Sequence, residues 1–286
     1  MMAAMATMLM AACTSDNNND SENLVAQVNV QVADFAVSTE GIASRAVQSA
    51  AEYTNVKAIT LAFFHADGTV ALQTTQLRAD DSTYDTFGSF SVTLPYGDYT
   101  MMVMGYGSET PVVINSMTDV AFSEDRVREM LTFTRSVSIR TETIDLSATL
   151  NRIVARLGVV STDGRPANAP KVRLTVSKGG KTFNPMTGLS LTDTGFANEV
   201  ELTSAVDAVS RTQAYLFLAS DEETMDVTIE TLDTSDNVLF SKTVTNVPFQ
   251  RNRMTLLTGS MYSPSSPTAG SFLFETSWLD DTNINF

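Results

Sequence analysis

The sequence predicts an all-β protein built from two β-sandwich domains in tandem. Short strand signals recur at regular spacing, turn residues separate them, and long helical periods are scarce. Apolar residues make up 43% of the 286 residues, enough for a buried core, which excludes wholesale disorder. The length fits two domains of ordinary size, which we place at residues 24–146 and 147–286.

Charge and cysteine content narrow the classes of function. The net charge of −15 repels phosphate, so no nucleic-acid partner is expected. Cys13 is the one cysteine, so the fold must be stabilised by its core and not by disulfides. No segment after residue 13 approaches the run of about 18 apolar residues that would predict a transmembrane helix.

The composition changes abruptly at Cys13. Residues 1–12 are uncharged and mostly apolar, whereas residues 14–23 form a polar linker. The transition resembles the end of a bacterial lipoprotein signal peptide, carried by Leu9, Ala11, Ala12 and Cys13. The resemblance implies a signal peptide at residues 1–13, lipidation of Cys13 with chains such as palmitate, and anchoring in the outer membrane. The alternative is a free cysteine beside an apolar core segment.

Strict alternation marks the first strand. Residues 24–32 alternate between apolar and polar side chains, which predicts a half-buried strand. Its predicted inward residues are Leu24, Val28, Val30 and Val32. A bulge is expected near Ala33 and Asp34, because the apolar residues that follow fall out of phase.

Turn chemistry places several later strands. Asp67-Gly68 between two apolar runs predicts a hairpin, and Asp163-Gly164 predicts a further turn. Residues 123–130 are compatible with one short helix or with a loop. Residues 135–146 are predicted as one strand with a change of phase near Thr143.

Two further patterns concern the second half. Residues 92–96 and 244–249 each couple a strand to the next through Pro and an aromatic residue, which suggests a weak internal repeat. Residues 271–278 are predicted to form a last strand, with its apolar side chains at every second position.

Residues typical of catalytic or cofactor sites are scarce. His65, the one histidine, precedes a predicted turn, where solvent exposure is the expected state; a catalytic triad would have to be built around it. One His and one Cys do not supply an ordinary zinc site. Residues 179–182 look like the end of a phosphate-binding loop, but Thr175 replaces the required glycine, and a hairpin is predicted instead. We therefore expect no enzyme activity, no metal and no cofactor.

Several motifs then occur in a distinctive order. After Cys13 and the alternating strand come residues 44–47, 94–99, 150–157 and 247–255. Together they resemble the fimbrillin-like subunits of type V pili, including their lipoprotein anchor subunits, over nearly the full chain. The resemblance implies two transthyretin-like (Ig-like) β-sandwich domains, location on the cell surface in a fimbrium, and assembly with other fimbrial subunits by β-strand exchange. It also implies adhesion to host or bacterial surface ligands.

In stalk subunits of that family, an arginine-specific protease cuts the loop after the first strand. The matching bond joins Arg45 to Ala46, although a solvated loop arginine is the alternative. Removing a strand whose apolar residues face inward would leave a groove that a donated strand could refill. Residues 271–278 are the candidate donor, unless they simply close their own sandwich. A rival function is surface glycan binding through Tyr96, Tyr106 and Trp278.

Overall fold

Strands make up most of the structure, a computed structural model that describes residues 24–36, 47–80, 86–263 and 273–276, with the backbone alone at residues 47 and 273–276. The first strands are β1 (Val25–Ala36), β2 (Val47–Ser49), β3 (Ala58–Phe64), β4 (Val70–Leu77), β5 (Ser89–Pro95), β6 (Gly97–Tyr106), β7 (Val113–Ser116), β8 (Asp119–Ala121), β9 (Met130–Ile139) and β10 (Thr143–Arg152). The later strands are β11 (Ala155–Gly164), β12 (Lys171–Val176), β13 (Thr182–Asn184), β14 (Leu189–Ser190), β15 (Phe196–Glu201), β16 (Val209–Leu216), β17 (Glu222–Leu232), β18 (Val238–Gln250), β19 (Met254–Gly259) and β20 (Leu273–Thr276). The one helical element among the described residues is a 3-10 turn, Arg78–Asp80, so the all-β prediction is confirmed.

The first half is a sandwich of two layers. One layer places β1 between β5 and β10, with β2 beside the end of β1. The other layer has the strand order β9-β6-β3-β4. The layers join where β10 pairs with β9 at Asn151 and Arg152. The buried side chains that meet between the layers include Val28, Val30, Val32, Phe35, Ile59, Leu61, Phe63, Met101, Val103, Val137 and Ile139.

The second half is built in the same way. Its layers have the strand orders β16-β11-β19-β20 and β15-β12-β17-β18. Alternating inward residues from both layers fill the core, as expected for a sandwich. They include Leu157, Val159, Val172, Leu174, Leu216, Val227, Ile229, Val247 and Leu257.

The topology of the two halves corresponds strand by strand. β1 is parallel to β10 and antiparallel to β5, and β11 is likewise parallel to β19 and antiparallel to β16. The order β4-β3-β6-β9 matches the order β15-β12-β17-β18. The internal repeat therefore exists, but the predicted alignment of its motifs is wrong. Pro95 ends β5, whereas Pro248 lies near the end of β18, the counterpart of β9.

A third sheet and a third core join the halves. The sheet has the order β14-β13-β8-β7, and Phe183 of β13 pairs with Val120 of β8. The ring of Phe183 stacks on that of Phe217 with 4.4 Å between centroids, and Phe122 stacks on Phe217 from the first half. Ala58, Ala62, Phe64, Met102, Met104, Tyr106, Ile153 and Val154 are buried in the same cluster. The halves thus share a continuous apolar interface.

Several local predictions need correction. Of the two alternatives for residues 123–130, the structure has turns and irregular backbone at 123–129 and no helix there. Residues 135–146, predicted as one strand, contain the end of β9, a turn and the start of β10. β12 does not pair with β13, so the hairpin predicted around residues 178–181 is absent; β12 pairs with β15 and β17 instead. Gly164 lies inside β11 and not in a turn. β10 runs through residue 147, so the chain changes sandwich between Arg152 and Ala155.

Candidate strand-exchange site

β1 is paired along both edges. Residues 25–31 pair with β5, residues 34–36 pair with β2, and residues 27–36 run parallel to β10. The predicted bulge is confirmed, because the register against β10 shifts between Val32 and Asp34. Removal of β1 would therefore open a slot between β5 and β10 and leave two rows of unpaired backbone groups.

The inner face of β1 belongs to the first core. Val28 and Val32 are 0% exposed, and Ala26 and Val30 are 1% exposed. The prediction for Leu24 is wrong, because that side chain is 52% exposed and the inward position is taken by Ala26. Burying a valine-sized side chain contributes about 1.5–3 kcal/mol, so the inner row is a substantial fraction of the ~5–15 kcal/mol net stability of a typical domain.

The outer face of β1 carries a polar ladder across three strands. Asn29 donates a hydrogen bond from Nδ2 to Asp145 of β10 (2.8 Å) and accepts one at Oδ1 from the Ser91 hydroxyl of β5 (2.9 Å). Gln31 accepts a hydrogen bond at Oε1 from the Ser89 hydroxyl (2.6 Å). These partners fix the register of β1, because a shift by one residue would bring the polar side chains into the core.

Gly88 places the start of β5 against the bulge of β1. Its φ of +95° lies in the region that favours glycine, and its carbonyl accepts the N–H of Val32 at 2.8 Å. A Cβ at Gly88 would lie 3.3 Å from the Val32 Cβ and 3.2 Å from the Ala50 Cβ. Gln76 of β4 also binds the start of β5: its Oε1 accepts a hydrogen bond from the Gly88 N–H, and its Nε2 donates one to the Ser89 carbonyl.

The segment after β2 is held separately by Arg78. This arginine is 4% exposed, and its guanidinium donates hydrogen bonds to the carbonyls of Ala50 (2.6 Å), Tyr53 (3.0 Å) and Val56 (2.7 Å). It also lies over the Phe87 ring, 4.2 Å from the centroid. Residues 50–56 therefore have anchors of their own that do not involve β1.

In the chain, the predicted processing site lies between β1 and the segment of residues 50–56 that Arg78 holds. Residues 37–46 connect β1 to β2, and the residues that flank this connection, Ala36 and Val47, are paired with each other. Arg45 and Ala46 lie outside the described residues, as does Cys13. A cut after Arg45 would separate the chain segment that contains β1 from the segment that begins with β2.

A buried polar cluster lies where the two halves meet. Glu129 pairs with Arg152, with 2.5 Å between Oε1 and Nε, and both side chains are 3% exposed or less. Tyr53 donates to Glu129 and accepts from Arg152, and Arg152 also donates to Asn252 of the second half at 3.3 Å. Burial raises the pKa of the Tyr53 hydroxyl, and the Glu129 carboxylate raises that pKa further.

The sequence offered only weak signals for these buried polar groups. Glu129 lies between Arg128 and Met130, and Arg152 lies in the 150–157 motif, which carries the family resemblance and gives no sign of burial. Arg78 is followed by Ala79 and then by two aspartates, and this run gives no signal of its burial. Long-range packing alone brings their partners together.

The residues considered for other activities do not converge. His65 is exposed and its ring lies 5.3 Å from that of Tyr99. Tyr106, considered for glycan binding, is 0% exposed and its hydroxyl contacts Thr60 at 2.8 Å, so it cannot contact a ligand. Trp278 lies outside the described residues, and Tyr96 is only half-buried at the corner after β5.

The glycine pair at residues 179–180 is occupied by protein contacts. The N–H of Gly179 donates to Asp193 (2.7 Å), and the N–H of Gly180 donates to the Phe217 carbonyl (3.2 Å). Lys181 pairs with Asp125 at 2.9 Å. A phosphate-binding loop needs such N–H groups free, so this segment is not one.

The described part of the chain has neither a cluster of metal ligands nor a helix that could span a membrane. No group of three or more His, Cys, Asp and Glu side chains there is arranged to hold a metal ion. None of the helices in the same residues has the length and apolar character needed to cross a bilayer.

The predicted last strand is partly described. β20 (Leu273–Thr276) pairs antiparallel with β19, with Thr255 opposite Thr276 and Thr258 opposite Leu273. It forms the edge of its sheet, as the simpler alternative for this segment requires. The chain leaves β19 at a fixed point, because Asp163 accepts hydrogen bonds from the Ser260 hydroxyl and from the N–H groups of residues 261–263.

The sequence profile of a family of unknown function, DUF6562, matches residues 20–266. None of the curated proteins matches the chain.

Several solved structures share the fold. A proposed adhesin from Bacteroides ovatus has a TM-score of 0.53 at 12% identity, over 87% of this chain and 96% of that one. A proposed polysaccharide-binding protein from Bacteroides thetaiotaomicron has a TM-score of 0.52 at 12% identity, over 82% and 92%. The fimbrial anchor protein Mfa2 from Porphyromonas gingivalis has a TM-score of 0.50 at 12% identity, over 88% and 97%. Similarity at these identities shows a common fold and nothing more.

Proposed function

Because the chain belongs to the DUF6562 family and has the fold described above, we propose that it is a cell-surface structural subunit of an adhesive fimbria. In this proposal Cys13 carries the lipid that anchors the protein in the outer membrane. The chain has no enzymatic role and takes no cofactor; its partners are other fimbrial subunits. Support comes from the shared fold with proposed adhesins and with a fimbrial anchor protein.

The observation that carries the proposal is the position of β1. A strand with both edges paired and every second side chain buried can be replaced only by another strand with the same alternation. The replacing strand must also bind in the correct register to form the hydrogen bonds of the polar ladder on the outer face. We propose that cleavage between Arg45 and Ala46 frees β1 and that a strand from another subunit takes its place.

Anchoring and cleavage exclude each other in one molecule. A cut after Arg45 removes Cys13 together with β1, so a subunit that is to remain attached by its lipid must stay uncut. The proposal therefore assigns the uncut form to an anchor and the cut form to a stalk or tip. The terminal mass of the protein isolated from cells distinguishes the two forms.

The strand-exchange test starts from the full chain with Cys13→Ala. An arginine-specific protease should cut this chain after Arg45, and Arg45→Ala should prevent that cut. After removal of the released segment, the melting temperature should fall, and a peptide of residues 24–37 should restore it. The same peptide with Val30→Asn is the matched control and should restore little, because it places an amide in the core.

If the 24–37 peptide fails to raise the melting temperature of the cut chain, the exchange mechanism is wrong. Lipid anchoring is tested separately by expressing the full chain with its native Cys13 and with Cys13→Ala. The native chain should partition with membranes at the processed mass, whereas the variant should remain unprocessed. A variant that still partitions with membranes at the processed mass would remove the lipid from the proposal.

A further inference from the structure

The equivalent strands β10 and β19 differ at their outer edges. In the second half, the outer edge of β19 is covered by β20. In the first half, β10 holds the place of β19, and no strand of the described residues pairs with its outer edge from Thr143 to Leu150. Of the other equivalent pairs, β4 and β15 are both edge strands, and β5 and β16 each pair with one strand, whereas β9 pairs with β10 at Asn151 and Arg152 and β18 has no such pairing with β19.

The backbone of β10 presents hydrogen-bonding groups to this edge. The N–H of Gln27 in β1 bonds to the carbonyl of Glu142 at 2.8 Å, which fixes the phase of the parallel ladder. In such a ladder, alternate residues of a strand bond to each neighbour. The N–H and C=O groups of Asp145, Ser147 and Thr149 therefore point away from β1, toward the open edge.

The same edge lacks the devices that usually protect an edge strand. Residues 143–150 contain no proline and no lysine. The β1–β10 register shift between Val32 and Asp34 leaves β10 continuous, so β10 has no bulge of its own. Its one charged side chain in this stretch, Asp145, is held on the outer face by Asn29.

The opening beside β10 is also partly apolar. β9 and β10 are joined by a short turn but diverge into different layers, meeting only at their far ends. Ile144 and Phe133 flank the separated part of the two strands, are partly buried and pack against the first core. An added strand would cover these side chains as well as the backbone groups.

We propose that the outer edge of β10 binds the C-terminal strand β20 of a second copy of the chain, in antiparallel orientation and with β1 still in place. β20 is the natural occupant because it already pairs antiparallel with the equivalent edge of β19. The chain before β20 is fixed at residues 260–263 by hydrogen bonds to Asp163. Residues 264–272 span at most about 30 Å when extended, which limits how far from that point β20 can bind.

The contact would be heterologous, with different surfaces on the two partners. β10 of one copy would hold β20 of the next, so the arrangement is open-ended and allows a row of subunits. It goes beyond the proposed function, because it needs neither cleavage after Arg45 nor removal of β1. It therefore stands or falls independently of that mechanism.

The test uses uncut chains with Cys13→Ala and measures association by sedimentation. The parent chain should associate with rising concentration. Ser147→Pro should weaken association about tenfold or more, because it removes an N–H at the open edge and none that bonds to β1. Ser147→Ala is the matched control and should associate as the parent does. Circular dichroism and melting curves must show that each variant is folded.

Complementation identifies the two surfaces. A chain with Ser147→Pro keeps β20 and can only donate; a chain with Glu275→Pro keeps the β10 edge and can only accept. At the lowest concentrations at which the parent chain associates, each should be mainly monomeric alone, and their mixture should form a heterodimer. A chain with both substitutions keeps only its own β19 edge open and should not associate with the donor.

Each contrary result identifies a different error. If the doubly substituted chain binds the donor as well as Glu275→Pro does, the second copy exchanges strands at β19 and the β10 proposal is wrong. A parent chain that stays monomeric at all concentrations also overturns the proposal. So does a Ser147→Pro variant that melts earlier but associates normally, because the edge is then covered by residues of its own chain.

Discussion

Glu129 and Arg152 form an ion pair, with 2.5 Å between Oε1 and Nε, at the place where the two halves of the protein meet. Both side chains are almost completely buried, and Tyr53 hydrogen-bonds to both of them. Such a pair is costly to break from one side, because the remaining charge stays buried without its counterion. The pair therefore ties the loop after β2 to the end of β10 and, through Asn252, to the second half.

Substitution of Glu129 tests this arrangement. We expect Glu129→Gln to lower the free energy of unfolding by about 3–5 kcal/mol, because Arg152 keeps its charge in a buried site. Glu124→Gln is the matched control: Glu124 pairs with Arg128 at 3.1 Å on the surface, where a pair contributes about 0–1 kcal/mol. Urea unfolding measures both changes. Equal losses of unfolding free energy in the two variants would show that the buried pair contributes no more to stability than the surface pair.

Alkaline pH should also act through this cluster. The raised pKa of Tyr53 means that the folded protein keeps a proton which the unfolded chain loses above pH 10.0. Stability contributed by this tyrosine is therefore complete below pH 10.0 and declines as pH rises further, by up to about 1.4 kcal/mol per pH unit.

Tyr53→Phe should remove one tyrosine's share of that decline. Tyr106 and Tyr262 also have raised pKa values, chiefly through burial, so a part of the slope should remain. The measurement is the free energy of unfolding across the alkaline range in the parent and the variant. An unchanged slope in Tyr53→Phe would mean that Tyr53 ionises at its ordinary pH in the folded protein.

The interface between the halves makes a second prediction about stability. Phe217 is fully buried between Phe183 of its own half and Phe122 of the other. We expect Phe217→Ala to lower the free energy of unfolding by about 3–5 kcal/mol. Hydrogen exchange of the backbone amides should become faster in both halves. Phe240→Ala, on the edge strand β18, is the control and should change little.

The same interface argues against independent folding of the second half. A fragment of residues 155–286 would expose Phe183 and Phe217 and would lose Val120, the strand partner of Phe183. We expect this fragment to aggregate or to melt well below the full chain. A fragment that melts as the full chain does would show that the third core contributes little.

The inner face of β1 can be tested without cleavage. Val30 is 1% exposed, so Val30→Asn should lower stability by about 3 kcal/mol or more, because it removes apolar burial and adds an unpaired amide. Gln31→Asn changes the neighbouring residue on the exposed outer face and should cost far less. Denaturant unfolding of both variants gives the comparison, and similar losses would mean that the alternation of β1 does not specify the core.

Local sequence chemistry predicted local structure well. The alternation of residues 24–32 specified the strand, its inward valines and, from the change of phase, the bulge after Val32. The Asp67-Gly68 pair specified the β3–β4 hairpin, where Gly68 adopts a φ of +83°. Each of these features depends on residues close in the chain, so the pattern contains the information needed to predict it.

Predictions failed where the partner of a strand is distant in the chain. Residues 178–181 have the composition of a hairpin turn, yet β13 crosses to pair with β8 in the other half. Leu24 continues the alternation, but it precedes β1, which begins at Val25, and its side chain remains exposed. β8 and β13 are more than 60 residues apart in the chain. The composition of a short segment cannot indicate that it will pair with so distant a strand.

The sequence by itself determined the all-β class, the alternating first strand and the Asp67-Gly68 turn. Only the tertiary structure decided that β1 is held along both edges and that Glu129 and Arg152 form a buried pair. It also decided that β20 covers the edge of β19, whereas no described strand pairs with the outer edge of β10 from Thr143 to Leu150. The physical reason is that alternation records which side of a strand faces the core. The choice of neighbour depends on hydrogen bonds and packing summed over the whole sheet.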